Sequence, residues 1–272
     1  MAFVGWALLL VARLEWLATS SVLADVNLTH HSSPSMCLPD QANALLKLKQ
    51  SFFFDRYSTT TLPSWQAGTD CCLWEGVGCN NSSGHVTALN LSAIGLYSPG
   101  IDPALFNLTS LRLLDLSIND FGTQRYDIPS VGFEKLALLT HLNLSNIGIN
   151  GQIPAGISKL KNLISLDLGS YVFTGDEEDC FKALAKSTPH LRVLSLEQCG
   201  LQGHINRSLK RLRSLVAIKL SGNYGEVSTS LFTLGALQAL DLSGNQLSGP
   251  IQEFDVISSQ LRFIDLNASR AR

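Results

Sequence analysis

The sequence predicts an α/β solenoid: a right-handed superhelix with one short parallel strand in each repeat and a helical cap at its N-terminal end. Three observations support this prediction. Leucine accounts for 48 of the 272 residues, a spacing pattern of leucines recurs eight times, and a helical segment precedes the first repeat. Hydrophobic residues make up 45% of the chain and charged residues 15%, against about 25% charged in an average domain. The chain therefore buries a large core.

The first 24 residues have the features of a signal peptide. The apolar run Ala2–Ala12 is followed by Val22, Leu23 and Ala24, a spacing that suits cleavage after Ala24. We expect residues 1–24 to be removed; the alternative is an uncleaved signal anchor. No later segment holds about 18 uninterrupted apolar residues, the length that a membrane span needs. The predicted destination is the secretory pathway and the extracellular side.

Residues 25–84 form the predicted N-terminal cap. Asp40 is positioned to cap a helix whose apolar residues share one face and can seal the first repeat. That face contains Ala42, Leu45, Leu46, Phe52 and Phe53.

Cysteines and glycosylation sequons agree with an exported chain. The six cysteines form an even set, which predicts three disulfides whose connectivity the sequence leaves open. They are Cys37, Cys71, Cys72, Cys79, Cys180 and Cys199. Eight Asn-x-Ser/Thr sequons are glycosylation candidates: Asn27, Asn80, Asn81, Asn90, Asn107, Asn143, Asn206 and Asn267.

The repeats follow an L-x-x-L-x-L-x-x-N pattern over residues 85–272. The first residue of the central L-x-L pair is Leu89, Leu114, Leu142, Leu166, Leu194, Ile218, Leu240 or Ile264. These positions are 22 to 28 residues apart, and the residue two later is always leucine. Because side chains alternate along a strand, the paired leucines point into the solenoid and the residues beside them face outward. This is the spacing of leucine-rich repeats, in about eight copies with the last one incomplete.

Asparagine ends the pattern in three repeats, at Asn119, Asn223 and Asn245. A buried amide there can satisfy the backbone of the turn and of the next repeat, and its removal should cost about 1–3 kcal/mol. Other residues interrupt this ladder: Ile94, Ile147, Tyr171, Cys199 and Ser269.

A partner of a solenoid is expected on the outward strand positions, because the core does not need them. Sequons at Asn90, Asn143 and Asn267 fall in these columns, whereas repeats four to seven carry none there. We therefore predict that a ligand contacts Asp167, Ser195, Glu197, Lys219 and Asp241. The alternative is that the aspartates only stabilise strand turns or face water.

Several motifs resemble plant extracellular leucine-rich-repeat proteins. Segments similar to their L-x-G-x-I-P variant are Ile149–Pro154, Leu201–Ile205 and Leu247–Ile251. The block from Cys37 to Cys79, which ends in C-C-L-W-E-G-V-G-C, resembles their N-terminal cap. Gly132–Leu136, followed by His141–Asn146, resembles the plant receptor-like proteins, a class that includes disease-resistance receptors.

This resemblance implies cap disulfides Cys37–Cys71 and Cys72–Cys79. Cys180 and Cys199 are left as the third pair, with free thiols as the alternative. The resemblance also implies an extracellular peptide or protein ligand. A full-length receptor of this class would add a membrane span, reside in the plasma membrane and signal through a membrane co-receptor kinase in defence or development.

Catalytic and cofactor motifs are absent from the sequence. No phosphate-binding loop, zinc-protease helix, serine-hydrolase elbow or kinase signature occurs. Because 20 Lys+Arg balance 22 Asp+Glu, nucleic-acid binding is disfavoured. We expect no enzyme activity, metal or cofactor. The alternative to a receptor module is a secreted leucine-rich-repeat inhibitor of microbial cell-wall-degrading enzymes, similar to the polygalacturonase inhibitors.

Overall fold

The computed structural model describes residues 35–54, 62–122, 129, 131–148, 150–151, 153–173, 182, 184–201, 211–224, 231, 234–245 and 260–267. The predicted signal peptide lies outside these residues, as do Asn27, Cys180 and Asn206. Within the described ranges, no helix has both the length and the apolar character required to cross a bilayer.

Short strands follow one another along the chain after the N-terminal helix α1 (Pro39–Gln50). In order they are β1 (Phe53–Phe54), β2 (Val77–Cys79), β3 (Val86–Asn90), β4 (Leu96–Tyr97), β5 (Leu113–Asp115), β6 (His141–Asn143), β7 (Asn150–Gly151), β8 (Ser165–Asp167), β9 (Val172–Phe173), β10 (Val193–Ser195), β11 (Ala217–Lys219), β12 (Ala239–Asp241) and β13 (Phe263–Asp265).

Nine of these strands form one sheet in the order β13-β12-β11-β10-β8-β6-β5-β3-β2. Strand β2 of the cap runs antiparallel to β3, and every later pair is parallel. The first leucines of the L-x-L pairs lie side by side, from Leu89 beside Leu114 to Leu240 beside Ile264. The predicted solenoid, its one strand per repeat and its register are therefore confirmed.

The paired leucines form a continuous core along the solenoid. Leu89, Leu142 and Leu194 are fully buried, whereas Leu266, which directly follows the last described strand, is 38% exposed. Each fully buried leucine contributes roughly 1.5–3 kcal/mol. A single repeat has no second apolar face to bury these side chains against, so neighbouring repeats stabilise one another.

The cap helix differs from the prediction at both ends. Helix α1 begins at Pro39, its N-cap residue is Leu38, and no side chain caps it, so the capping role predicted for Asp40 is wrong. Proline at the first helical position has no N–H to satisfy, which reduces the need for a cap. Phe53 lies past the end of the helix and is 58% exposed.

Gln41 joins the cap helix to the first repeat. Its side chain is buried, Oε1 accepts the N–H of Val86 at 2.6 Å, and Nε2 lies 3.2 Å from Nδ1 of His85. The amide thus satisfies a buried backbone donor at the start of β3. This contact was not predictable from the sequence, because a glutamine within an amphipathic helix gives no sign of its partner.

Two disulfides and a tryptophan pair stabilise the cap. The bonds are Cys37–Cys71 and Cys72–Cys79, the pairings that the resemblance implies. The rings of Trp65 and Trp74 stack at 5.5 Å between centroids, and Trp65 Nε1 donates to the carbonyl oxygen of Glu75 at 3.0 Å.

Short 3₁₀ helices stack on the other side of the core from the main sheet, at Pro103–Asn107, Phe133–Lys135 and Ile157–Lys159. The rings of Phe106 and Phe133 pack edge to face at 5.1 Å between centroids. Gly132 precedes the second 3₁₀ helix with φ +120°, and a Cβ there would lie 2.3 Å from the Phe106 ring. The Gly-Phe pair of the motif at 132–136 therefore permits this close packing.

Candidate functional site

The asparagine ladder holds the ends of the strands that carry the concave face. Asn223 is buried, and its Oδ1 accepts the N–H groups of Cys199 at 3.0 Å and Leu201 at 3.1 Å. Its Nδ2 donates at 2.8 Å to the carbonyl oxygens of Leu196 and Leu220. One side chain thus satisfies backbone groups in two successive repeats.

Asn119 and Asn245 make the same kinds of contact. Asn119 Oδ1 accepts the N–H of Leu96 at 2.9 Å, and its Nδ2 donates to the carbonyl oxygen of Leu91 at 2.7 Å. Asn245 Oδ1 accepts the N–H of Asn223 at 2.8 Å. These bonds link consecutive turns, because each amide bonds to its own repeat and to the preceding one.

Cys199 occupies an asparagine position as a free, buried thiol. Its Sγ donates to the carbonyl oxygen of Leu168 at 3.1 Å, and burial raises the pKa of the thiol to about 12. The predicted disulfide between Cys180 and Cys199 is therefore wrong, because Cys199 is a free thiol. Cys180 lies outside the described residues. The physical reason is direction: side chains in this column point into the solenoid and bond to the turn backbone.

The concave face carries a repeated turn motif at the ends of the strands. In repeats one, two, three and seven, an Asp or Asn accepts both the backbone N–H and the hydroxyl of a serine two residues later. In repeat eight, Asp265 accepts the N–H of Asn267 at 2.8 Å. Such turns satisfy strand-end donors locally. Asp241 is one of these residues, so it has a structural role as well as a predicted binding role.

Besides repeat eight, three consecutive repeats depart from this motif. In repeat four, Asp167 accepts the N–H of Gly169 at 2.9 Å, but no serine hydroxyl is present. Repeat five has Ser195 and Glu197 at the two positions, and repeat six has Lys219 at the first. The signal for this clustering is visible in the aligned sequence, where the Asp/Asn-x-Ser pattern is interrupted in these repeats.

The structure brings the five predicted ligand contacts together. Asp167, Ser195, Lys219 and Asp241 are direct neighbours on the adjacent strands β8, β10, β11 and β12. Neighbouring strands lie about 4.8 Å apart. Glu197 lies two residues after Ser195, on the same face of the sheet.

Glu197 is the electrostatic centre of this group. Its carboxylate is half-buried, and desolvation raises its pKa above the ordinary value of 4.5. The positive charge of Lys219 and a hydrogen bond with Ser221 oppose that rise, whereas the negative charges of Asp167 and Asp241 add to it. The charges of Asp167, Lys219 and Asp241 therefore all act on the Glu197 carboxylate.

Ser195 differs from the prediction in its exposure. The residue is only 2% exposed, and its Oγ has no hydrogen-bond partner among the described residues. His141, on the same face in repeat three, has a buried Nε2 atom that likewise has no partner in this part of the chain. Burial lowers the pKa of His141, which favours the neutral imidazole.

The described glycosylation candidates differ in environment. Asn80, Asn81, Asn90, Asn107 and Asn267 are exposed. Asn143 is half-buried, and its Nδ2 donates to Oδ2 of Asp115 at 3.1 Å. Glycosylation of each remains a prediction.

Potential metal-ligating side chains come together in the cap, where Asp70 lies among the cysteine sulfurs. The four cysteines in these groups form the two disulfides, so they offer no thiolate to a metal.

Family models match both parts of the chain. The leucine rich repeat N-terminal domain matches residues 38–80, and the Leucine Rich Repeat matches residues 138–160 and 236–255. Receptor-like protein 6 of Arabidopsis thaliana is 32% identical over 208 residues, which are 68% of this chain. Receptor-like protein EIX1 of Solanum lycopersicum is 34% identical over 152 residues, which are 50% of this chain.

The chain belongs to the plant leucine-rich-repeat receptor-like proteins. It spans 20% of the length of Receptor-like protein 6 and 14% of Receptor-like protein EIX1. It thus corresponds to a minor part of these relatives.

Solved structures share the solenoid of this receptor-like protein chain. The PEPR1–AtPEP1 complex matches with a TM-score of 0.65 and 26% identity, over 86% of this chain and 36% of that chain. The Arabidopsis thaliana GASSHO1/SCHENGEN3 ectodomain, in complex with CASPARIAN STRIP INTEGRITY FACTOR 2, has a TM-score of 0.62 and 26% identity, over 76% and 24%. A plant ice-binding protein matches with a TM-score of 0.62 and 25% identity, over 87% and 81%.

Proposed function

We propose that the chain is an extracellular recognition module of a plant receptor-like protein and that it binds a peptide or protein on its concave face. The proposal includes no catalytic step. Signalling by the complete receptor would require the membrane span and the co-receptor kinase that the resemblance implies, with a role in defence or development.

One observation carries the proposal: the parallel sheet presents side chains that the core does not use as one continuous surface. The first leucines of successive repeats are in register, so the outward residues beside them are also in register. Side chains such as Asp167, Lys219 and Asp241 are half-buried there rather than packed in the interior. Functional contacts on a solenoid use such surfaces.

The relatives support the same function. Two of the matched structures are named as complexes, one with AtPEP1 and one with CASPARIAN STRIP INTEGRITY FACTOR 2. The matched curated proteins are named receptor-like proteins. A secreted inhibitor would also bind a protein, but these names favour the receptor module.

Photo-crosslinking tests the proposed location of binding. We would replace Asp241 on the concave face, in one variant, with the photoreactive residue p-benzoylphenylalanine. The matched control carries it at Lys159, which is exposed in a 3₁₀ helix on the other side of the core. Both secreted chains are irradiated with a pooled library of synthetic peptides.

We expect the Asp241 variant to recover a limited set of peptide sequences and the Lys159 variant to recover few. Equal recovery by both variants would contradict recognition on the concave face.

A further inference from the structure

We propose that repeats four to six form a subsite for a basic side chain, arginine or lysine, of the peptide or protein ligand. This inference rests on the proposed function and specifies the chemistry of the same surface. It is carried by the charge balance of the group, by one unpartnered hydroxyl and by a position that lacks a side chain.

The charge balance favours a cation. Asp167, Glu197 and Asp241 contribute three carboxylates, and Lys219 contributes one ammonium group, so the group is net acidic. The strand register places Asp167, Lys219 and Asp241 side by side, and the charges of all three act on Glu197, so the four side chains form one cluster. A guanidinium or ammonium group binds carboxylates through short charge-assisted hydrogen bonds.

Ser195 supplies the second observation. In six other repeats the equivalent residue is an Asp or Asn that accepts the N–H of its own turn. Ser195 is only 2% exposed, and its Oγ has no hydrogen-bond partner within the described residues. The strand register places it between Asp167 and Lys219, on the acidic face. A hydroxyl there can accept a hydrogen bond from a cationic N–H group.

Gly169 lies beside the backbone of Glu197 and carries no side chain. Most other repeats have serine at the corresponding position, so repeat four lacks the hydroxyl that elsewhere bonds to the Asp or Asn of the turn. A Cβ built at Gly169 would lie 3.2 Å from Oδ1 of Asp167 and 3.5 Å from Cβ of Ser145. A side chain at position 169 would therefore contact the Asp167 carboxylate, which glycine leaves without a serine hydroxyl.

Departures from the turn motif are concentrated in repeats four to six, and the only other one is Asn267 in place of serine in repeat eight of the described chain. Natural proteins break the local rules of their fold mainly at functional sites. The side chains of Glu197 and Lys219 are long and half-buried on this face, and binding would require them to move. A ligand group that displaces them would reach the Ser195 hydroxyl.

A pair of small peptides provides the direct test. The probes are N-acetyl-glycyl-arginyl-glycine amide and the same peptide with citrulline, which keeps the shape of arginine without its charge. Each is titrated into the nitrogen-15-labelled secreted chain, and amide chemical shifts are followed. We expect saturable shifts at Gly169, Ser195, Glu197 and Lys219 with the arginine peptide and none with the citrulline peptide.

Three variants make the test specific. Glu197→Gln should weaken binding of the arginine peptide about 10-fold or more, because one charge-assisted contact is lost. Gly169→Ser should weaken it because the serine hydroxyl would bond to the Asp167 carboxylate, as in repeats two and seven, and compete with the ligand cation. Asp115→Asn is the matched control: it removes a concave carboxylate outside the subsite, and asparagine occupies the same position in repeat three. It should leave binding unchanged.

Any of three results would overturn the subsite. They are equal binding of both peptides, chemical-shift changes spread over the whole surface, and equal weakening of binding by the Glu197 and Asp115 variants. If the Glu197 variant loses its dispersed spectrum, Ser195→Ala takes its place and should also weaken binding. Library peptides captured at the concave face but lacking basic residues would overturn this subsite and leave the proposed function standing. Equal library recovery on both faces would overturn the proposed function itself.

Discussion

Replacing Asn223 with alanine tests whether the asparagine ladder stabilises the strands that carry the concave face. The side chain is buried and accepts two backbone N–H groups, from Cys199 and Leu201, at 3.0 and 3.1 Å. Alanine leaves both donors without this acceptor. An orphaned buried donor costs roughly 1–3 kcal/mol, so Asn223→Ala should lower the free energy of unfolding by roughly 2–6 kcal/mol.

The matched control is Asn162→Ala. Asn162 is exposed and makes one hydrogen bond, from Nδ2 to the carbonyl oxygen of Ala137 at 2.8 Å. Its loss should change stability by less than about 0.5 kcal/mol.

Urea unfolding followed by far-UV circular dichroism measures both variants. Hydrogen exchange of the Cys199 and Leu201 amides reports the local effect, because a repeat protein need not unfold as one unit. If Asn223→Ala and Asn162→Ala destabilise equally, or if the two amides keep their protection, the ladder does not have the role assigned to it.

Three further predictions concern the packing, the thiol and the acidic group. Gly132→Ala should destabilise the chain by about 2–4 kcal/mol, because its Cβ would overlap a phenylalanine ring at positive φ, whereas Gly235→Ala has open space and should be neutral in thermal unfolding. Iodoacetamide should alkylate Cys199 only after the protein is denatured, and no reductant should be needed, because the native thiol is buried with a pKa of about 12. If alkylation requires reduction, Cys199 forms a disulfide with Cys180 instead. The folded-state pKa of Glu197 is raised, so the folded chain holds this proton more tightly than the unfolded chain, and stability falls as pH rises from about 4.5 through the folded pKa. Urea unfolding across this pH range should show that loss relative to Glu197→Gln, and parallel stability curves for the two proteins would contradict the assigned burial.

The register of the sheet was predictable, whereas several individual contacts were not. Leucines two residues apart point to the same side of an extended strand, and the strands bury these leucines when neighbouring repeats stack side by side. The start of the cap helix was mispredicted, because proline at Pro39 removed the need for the cap assigned to Asp40. The partner of Gln41 was not predictable, since Val86 is distant in sequence and gives no local signal.

The candidate site was located by sequence and given its chemistry by the structure. The sequence placed five residues in outward columns, and the strand pairing made them neighbours. The burial of Ser195 and the raised pKa of Glu197 depend on neighbouring strands. They could not be read from residue type, because desolvation is a property of the surroundings.

The leucine spacing alone determined that this chain forms a stack of strands with one face in the core and one outside. It did so because alternation along a strand is a local property of the backbone. Tertiary structure decided which polar groups find partners and which do not, as for the bonded amide of Asn223 and the unpartnered hydroxyl of Ser195. The reason is that hydrogen bonds and burial in the solenoid join residues from different repeats, more than 20 positions apart in the chain, which only stacking brings within reach.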